Sequence, residues 1–211
     1  MRVKVCGMTQ LEQVKQLDAM GVDFAGFIFY PKSSRYVARH LPGAKLKKEK
    51  LHLGKVGVFV NATYDEMMKQ VDDYGLDMVQ LHGDETPRFC ERVSNYISVI
   101  KVFRMGEDDP IEWIAKPFED SCDMFLFDTE GAGYGGTGKK FNWDTLKKSS
   151  VSKLFFLSGG IEPSDAEKLK SFAQEPVAKK MFAVDINSKF ETNPGIKNLV
   201  KVKEFVEKMK S

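Results

Sequence analysis

Eight short apolar runs recur along this chain, and each delivers the backbone to residues able to do chemistry. Val3-Lys4-Val5 runs into Cys6, residues 24–29 lead to the loop that holds Arg35, and residues 56–60 lead to Asn61. Residues 78–81 end at His82, 97–103 at Arg104 and 124–127 at Asp128. Residues 154–157 end at Ser158-Gly159-Gly160, and residues 181–184 at Asp185. The runs are rich in Val, Ile and Phe with little polar alternation, the pattern of strands buried on both faces. Segments of helical periodicity fill the intervals. Eight strand-then-helix units predict a closed parallel (β/α)8 TIM barrel, which gathers its strand ends around one mouth, where barrel active sites lie. An open doubly wound sheet alternates strands and helices in the same way. Periodicity does not separate the two; reactive residues after every run favour closure.

At 211 residues, with 42% apolar and 29% charged, the chain suits a single domain spanning residues 1–211. A formal net charge of +2 is too balanced for a nucleic-acid footprint. The lysine-rich stretches 45–50 and 197–210 alternate with apolar residues at helical spacing and read as solvated helix faces. Cys6, Cys90 and Cys122 form no CxxC pair, and the three histidines lack zinc-ligand spacing, so no metal site is expected. No stretch approaches the roughly 18 apolar residues of a membrane span. The chain enters a strand almost at once, without a signal-peptide pattern, and a reducing cytoplasm is the expected compartment.

Helix starts are marked by side chains that can satisfy orphan amides. Capping-box spacing occurs at Thr9/Glu12, Thr63/Glu66, Ser164/Glu167 and Ser188/Glu191. Thr86 precedes Pro87 as an N-cap before a first-turn proline, and Asn142 can cap the helix after the sixth strand. The segments 42–50 and 110–118 predict only short helices.

The strand-end residues sort by the chemistry available to them. Cys6, at the end of the first strand, could act as base or nucleophile if its pKa of about 8.5 were lowered locally. Cys90 and Cys122 read as inert buried thiols. Asp128 ends the sixth strand, across an eight-stranded ring from Cys6, and two groups in opposite protonation states suit proton-transfer isomerisation. Arg35 offers a planar donor fork to a carboxylate. His82 reads as a strand-end structural residue or a ligand contact. Gly159 and Gly160 after the seventh strand, with Asn187, Ser188 and Lys189 after the eighth, occupy the two loops that commonly bind phosphate in barrels. Residues 131–140, containing Gly136 and Gly138, form a glycine-rich loop without the Walker pattern and suit a substrate lid.

Seven of these segments together resemble phosphoribosylanthranilate isomerases. They are Lys4-Val5-Cys6-Gly7-Met8-Thr9, Gly26-Phe27-Ile28-Phe29 with Ser33-Ser34-Arg35-Tyr36-Val37, and Gly57-Val58-Phe59-Val60-Asn61. The others are Gln80-Leu81-His82-Gly83-Asp84-Glu85, Phe127-Asp128-Thr129, Gly135-Gly136-Thr137-Gly138 and Leu157-Ser158-Gly159-Gly160. The resemblance implies an Amadori rearrangement of N-(5-phosphoribosyl)anthranilate, with Asp128 as acid and Cys6 as base. It implies no cofactor, a small phosphosugar substrate, and a monomer or homodimer with no membrane partner. The chain departs from the family at Lys189, where a glycine commonly follows the serine. Two rivals remain: a related barrel acting on a histidine-pathway intermediate, expected to use paired aspartates, and a phospho-ligand-binding barrel without turnover.

Overall fold

Strand pairing between the two ends of the chain closes the sheet. A computed structural model describes residues 1–106, 109–129, 142–147 and 149–211. Among them lie the strands β1 (Arg2–Val5), β2 (Phe24–Ile28), β3 (Gly54–Phe59), β4 (Met78–Leu81), β5 (Ser98–Met105), β6 (Met124–Thr129), β7 (Phe155–Leu157) and β8 (Met181–Ile186). Each pairs in parallel with the next, and β1 pairs in parallel with β8 from Arg2↔Ala183 to Val5↔Ile186. The result is the closed barrel and not the open sheet. Helices α1 (Leu11–Ala19), α2 (Gly43–Lys48), α3 (Tyr64–Tyr74), α4 (Pro87–Ser94), α5 (Ile111–Ala115), α6 (Asp144–Lys147), α7 (Ala166–Phe172) and α8 (Leu199–Lys210) follow the strands in turn. As expected, α2 and α5 are short.

Side-chain alternation divides the buried residues into two compartments. Val3, Val5, Phe27, Val79, Phe125 and Phe127 face outward and pack under the helices with Leu17, Leu46, Leu169 and Phe205. Phe24, Val56, Ile100, Val102, Met124, Leu126, Phe156 and Ala183 form a separate plug inside the lower barrel. Above that plug the interior is polar. Lys4, fully buried between two outward valines, meets Asp185 of β8 at 2.9 Å.

Local signals hold where no tertiary partner competes for the side chain. Thr63 and Glu66 form their reciprocal box, with Thr63 N donating to Glu66 (3.0 Å) and Glu66 N to the Thr63 hydroxyl (3.3 Å). Thr86 accepts from Phe89 N, and Asn142 accepts from Asp144 N. The other three boxes are absent. Thr9 lies before α1 and donates its hydroxyl to the Gly195 carbonyl instead. At the start of α7 the reciprocal contacts shift two residues, to Glu162 and Asp165. Ser188 opens a 3₁₀ turn (Ser188–Phe190), and Glu191 starts a hairpin of β9 (Glu191–Asn193) with β10 (Ile196–Lys197). Three strands also run further than their apolar cores, so Arg104, Asp128 and Asp185 sit inside β5, β6 and β8.

A second buried ion pair holds the rim. Lys101, facing outward from β5, donates to Glu85 (2.8 Å) and to the Gly83 carbonyl (2.7 Å). Glu85 in turn accepts from the backbone of Gly83 and of Asn61, whose φ of 51° places it in the left-handed region. One carboxylate thus ties the ends of β3 and β4 together. Removing one partner of such a pair strands the other in a dry site, at a cost of about 3–5 kcal/mol. Lys101→Met is therefore expected to lose that much in urea denaturation, with part regained in Lys101→Met/Glu85→Gln. A loss below about 1 kcal/mol for the single variant would mean that the pair does not hold the rim.

Candidate active site

A cavity enclosing about 800 Å³, including solvent at its opening, lies at the C-terminal ends of the strands. It has the place of a barrel active site. The expected residues Cys6, Arg35, His82, Asp128, Gly160, Asn187 and Ser188 line it, together with Gln80, Ser158 and Asp185. Gly159 adjoins this set; Lys189, half-buried on the 3₁₀ turn, is not among the lining residues. Gly136 and Gly138, with the rest of the glycine-rich loop, lie outside the described residues.

Glycines bring Cys6 into contact with its neighbours. A Cβ on Gly26 of β2 would stand 2.8 Å from the Cys6 sulfur, so only glycine lets β2 pass the thiol. Gly7 has φ +77°, and a Cβ there would meet Asn187 at 2.7 Å and Arg35 at 2.8 Å. Burial is the main influence on Cys6 and pushes its thiol up, so the local lowering that would make it a resting thiolate is not met. The Lys4 and Lys197 ammonium groups pull in the opposite direction, and Asp185 adds to the rise. Lys4 itself is held above its ordinary value: burial works to lower it, but Asp185 and Cys6 outweigh that. The thiol therefore rests protonated near neutral pH, with a cation one inward position below it.

Asp128 is shifted in the direction an acid requires. Burial raises its carboxyl to about 6, opposed by a hydrogen bond from Thr129 N (2.8 Å) and by Lys4 and Arg104, and assisted by Asp185. His82 stands 3.7 Å away, from Nε2 to Oδ2, while its Nδ1 lies 3.2 Å from Gln80 Nε2. Burial, with Lys4, Lys101 and Arg104 nearby, drives His82 down to about 3, so the imidazole is neutral in the working range.

Arg35 already grips a carboxylate. Its Nε and Nη2 both donate to Glu191, at 2.7–3.0 Å. Lys197, buried on β10, donates to the same carboxylate (2.7 Å) and to the Asn187 side chain (2.8 Å). Burial works to raise Glu191, but Arg35 and Lys197 hold it below the ordinary carboxylate range. Both residues had other sequence readings, Glu191 as a cap and Lys197 as part of a solvated face. In the fold they form a charge bridge from Arg35 to the loop after β8. Nη1 is the one guanidinium nitrogen not engaged with Glu191.

The two glycines after β7 have φ of +92° and +67°, a region that favours glycine. Among the described residues, the backbone amides of Gly159, Gly160, Ser188 and Lys189 donate no hydrogen bond to one another or to a neighbour. Lys189 is absent from the positive-φ residues, so a side chain at this position carries no backbone strain. The sequence reading gave no site role to Lys4, Gln80, Glu191 and Lys197, and marked Asp185 only as a strand-end residue. For Lys4, Gln80 and Asp185 the signal was present: a polar residue within a strand run that has no exposed face.

The raised Asp128 carboxyl carries a stability consequence. The folded chain keeps this proton up to about pH 6, whereas the unfolded chain releases it near 3.8. Between those values the folded state binds more protons, so stability falls as pH rises through the window. By pH 7 the loss amounts to roughly 3 kcal/mol at about 1.4 kcal/mol per unit. Asp128→Asn has no charge to bury and retains an acceptor for Thr129. Urea midpoints are expected to show the variant more stable by roughly 2–3 kcal/mol at pH 8 and equal to the parent near pH 4. An equal difference at both pH values would mean that burial does not raise this carboxyl.

Comparison with known proteins agrees with this geometry. The family model for N-(5'-phosphoribosyl)anthranilate (PRA) isomerase matches residues 3–208. The N-(5'-phosphoribosyl)anthranilate isomerase of Parabacteroides distasonis is 39% identical over 211 residues, covering 99% of this chain and 93% of its own. Solved monomers of the dimeric phosphoribosylanthranilate isomerase of Thermotoga maritima superpose with a TM-score of 0.81 at 30% identity, covering 99% of this chain and 98% of theirs. A phosphoribosyl anthranilate isomerase in complex with reduced 1-(o-carboxyphenylamino)-1-deoxyribulose 5-phosphate superposes at 0.79 and 29%, with the same coverage. With nearly its whole length matched by the family model and by full-length relatives, the chain belongs to the N-(5'-phosphoribosyl)anthranilate isomerase family.

Proposed function

We propose that Cys6 and Asp128 are the base and acid with which this isomerase converts N-(5-phosphoribosyl)anthranilate to 1-(2-carboxyphenylamino)-1-deoxyribulose 5-phosphate, a reaction of tryptophan biosynthesis. The observation that carries the assignment is a carboxyl held near 6 in the same cavity as a thiol flanked by buried cations. Asp128 gives its proton to the ribose ring oxygen; the C1–O bond breaks toward that oxygen, and the anthranilate nitrogen lone pair forms the C1=N bond. Cys6, as thiolate, takes the proton from C2. The C2–H electrons become the C1=C2 bond, and the former C=N electrons return to nitrogen as an enolamine. Loss of the enol hydroxyl proton and gain of one at C1 give the ketone. The substrate supplies its own amine, so the steps need only proton transfer.

Binding divides between the two ends of the substrate. The free side of the Arg35 guanidinium takes the anthranilate carboxylate. Amides of Gly159, Gly160 and Ser188 take the phosphate, with Asn187 shaping the loop and Lys189 adding a screened attraction from the rim. Gly136 and Gly138 belong to this reading as substrate contacts from outside the described residues. The enzyme works in the cytoplasm as a monomer or homodimer, with no nucleic-acid partner; no helix among the described residues is long and apolar enough to cross a membrane.

Fluorescence loss from enzymatically generated phosphoribosylanthranilate, together with product formation, measures turnover. Cys6→Ser is expected to lower kcat by about 10²–10⁴-fold while still binding the reduced product analogue, because a serine hydroxyl is too weak an acid to serve as a base near pH 7. More than half the parental kcat would exclude Cys6 as the base. Arg35→Ala is expected to weaken carboxylated ligands at least about tenfold and to spare analogues without the carboxylate. Equal losses for both would put Arg35 outside the contact. Binding without turnover by the parent protein would favour the phospho-ligand-binding alternative.

A further inference from the structure

The mechanism leaves a buried amide and a neutral imidazole unused beside its acid. Gln80 is 1% exposed, lines the cavity, and has its Oε1 without a hydrogen-bond partner among the described residues. Its Nε2 lies 3.2 Å from His82 Nδ1. An amide NH₂ can only donate, so Nδ1 acts as the acceptor and the single imidazole proton sits on Nε2. That nitrogen faces Asp128 Oδ2 at 3.7 Å, beyond a hydrogen bond but within the distance that catalytic contacts close when ligand binds.

We infer that His82 is a positioning residue for Asp128: Gln80 sets its tautomer, and the neutral ring then presents Nε2–H to the carboxylate that remains after Asp128 has protonated the ring oxygen. The inference rests on Asp128 being the acid. The other groups facing this carboxyl are Lys4 from β1, Arg104 from β5 and Asp185 from β8, with the Thr129 amide on its own strand. Neither cation pairs with Asp128: Lys4 is committed to Asp185 and Arg104 to Asp84, while Asp185 is a like charge. His82 is thus the side-chain donor best placed to receive the new charge. Its backbone is fixed for the purpose. Gly83, next in sequence, donates to Glu85 and accepts from Lys101, and a Cβ at Gly83 would stand 2.3 Å from the Asn61 side chain. With a pKa of about 3 the ring does not ionise and so does not become a competing acid.

Two spectroscopic readouts and one kinetic readout test the inference. In protein labelled with ¹⁵N-histidine, the resonance that disappears in His82→Leu is expected to report the Nε2–H tautomer, and Gln80→Met is expected to let the two tautomers mix. In protein labelled with ¹³C at aspartate carboxyls and saturated with the reduced product analogue, where the contact is closed, the Asp128 midpoint is expected to rise by about one to two pH units in His82→Leu, the size of one charge-assisted hydrogen bond. His82→Gln, whose amide reaches the position of Nε2, is expected to hold the midpoint within a few tenths of a unit. The kcat should fall by roughly 10–100-fold in His82→Leu, with KM changed much less, and recover in His82→Gln. An Nδ1–H tautomer in the parent protein, or an unmoved Asp128 midpoint in His82→Leu, would overturn the inference. Should Asp128→Asn retain full turnover, the acid assignment fails instead, and the titration still decides whether His82 acts on that carboxyl.

Discussion

The parallel pairing of β1 with β8 is the contact on which the rest depends. It removes both free edges of the sheet, which an open arrangement would leave exposed to other chains. It also brings together residues 181 positions apart in sequence: Lys4 and Asp185 meet in register, and their side chains form a buried ion pair. One step further along each strand stand Cys6 and Asn187. The seam that closes the barrel therefore also assembles one wall of the cavity.

Closure forces every second residue of eight strands into one narrow column, and the column is divided by polarity. Its lower part is filled by phenylalanines and aliphatic side chains, with Phe24, Phe156 and Phe182 in mutual ring contact at 5.4–5.8 Å. Its upper part holds Lys4, Asp185, Gln80, Ser158 and Asp128. A dry floor beneath charged groups lowers the local dielectric, which strengthens each interaction above it and moves titration points away from their values in water. Burial raises Asp128 and Cys6 and lowers His82 through this one cause. The resting thiol and carboxylate are the reverse of the reactive pair. The reactive thiolate and carboxylic acid therefore form a minor protonation state, which the Lys4 ammonium favours at the sulfur. Such groups lower stability in order to be useful, a common condition of active sites.

Charge networks at the rim provide the stiffness that these positions require. Glu85 and Lys101 tie the ends of β3 and β4 together beneath His82, and Glu191 and Lys197 tie Arg35 to the loop after β8. Each carboxylate accepts from several donors at once, so neither is a lone buried charge. Rigid supports of this kind hold a site in its productive geometry more reliably than loop residues alone.

Sequence by itself determined the alternation of eight strands with helices, because apolar runs and capping residues act over a few neighbouring positions. It also marked Cys6, Arg35, His82, Asp128 and the two phosphate loops, since each follows an apolar run or lies in the loop after one. What the tertiary structure decided are the partners. Among the described residues Thr63 and Thr86 cap as their spacing implies, whereas Ser188 opens a 3₁₀ turn and Thr9 and Glu191 leave their local pattern for the β9–β10 hairpin and its contacts. Glu191 could not be read as Arg35's partner, nor Lys197 as buried, because Arg35 lies 156 residues from Glu191 in sequence and meets it only in the closed barrel. The direction of the Cys6 shift was equally invisible. Periodicity reports which face of a strand is buried, but a pKa depends on every charge that the fold brings close, and only the closed barrel determines which charges those are.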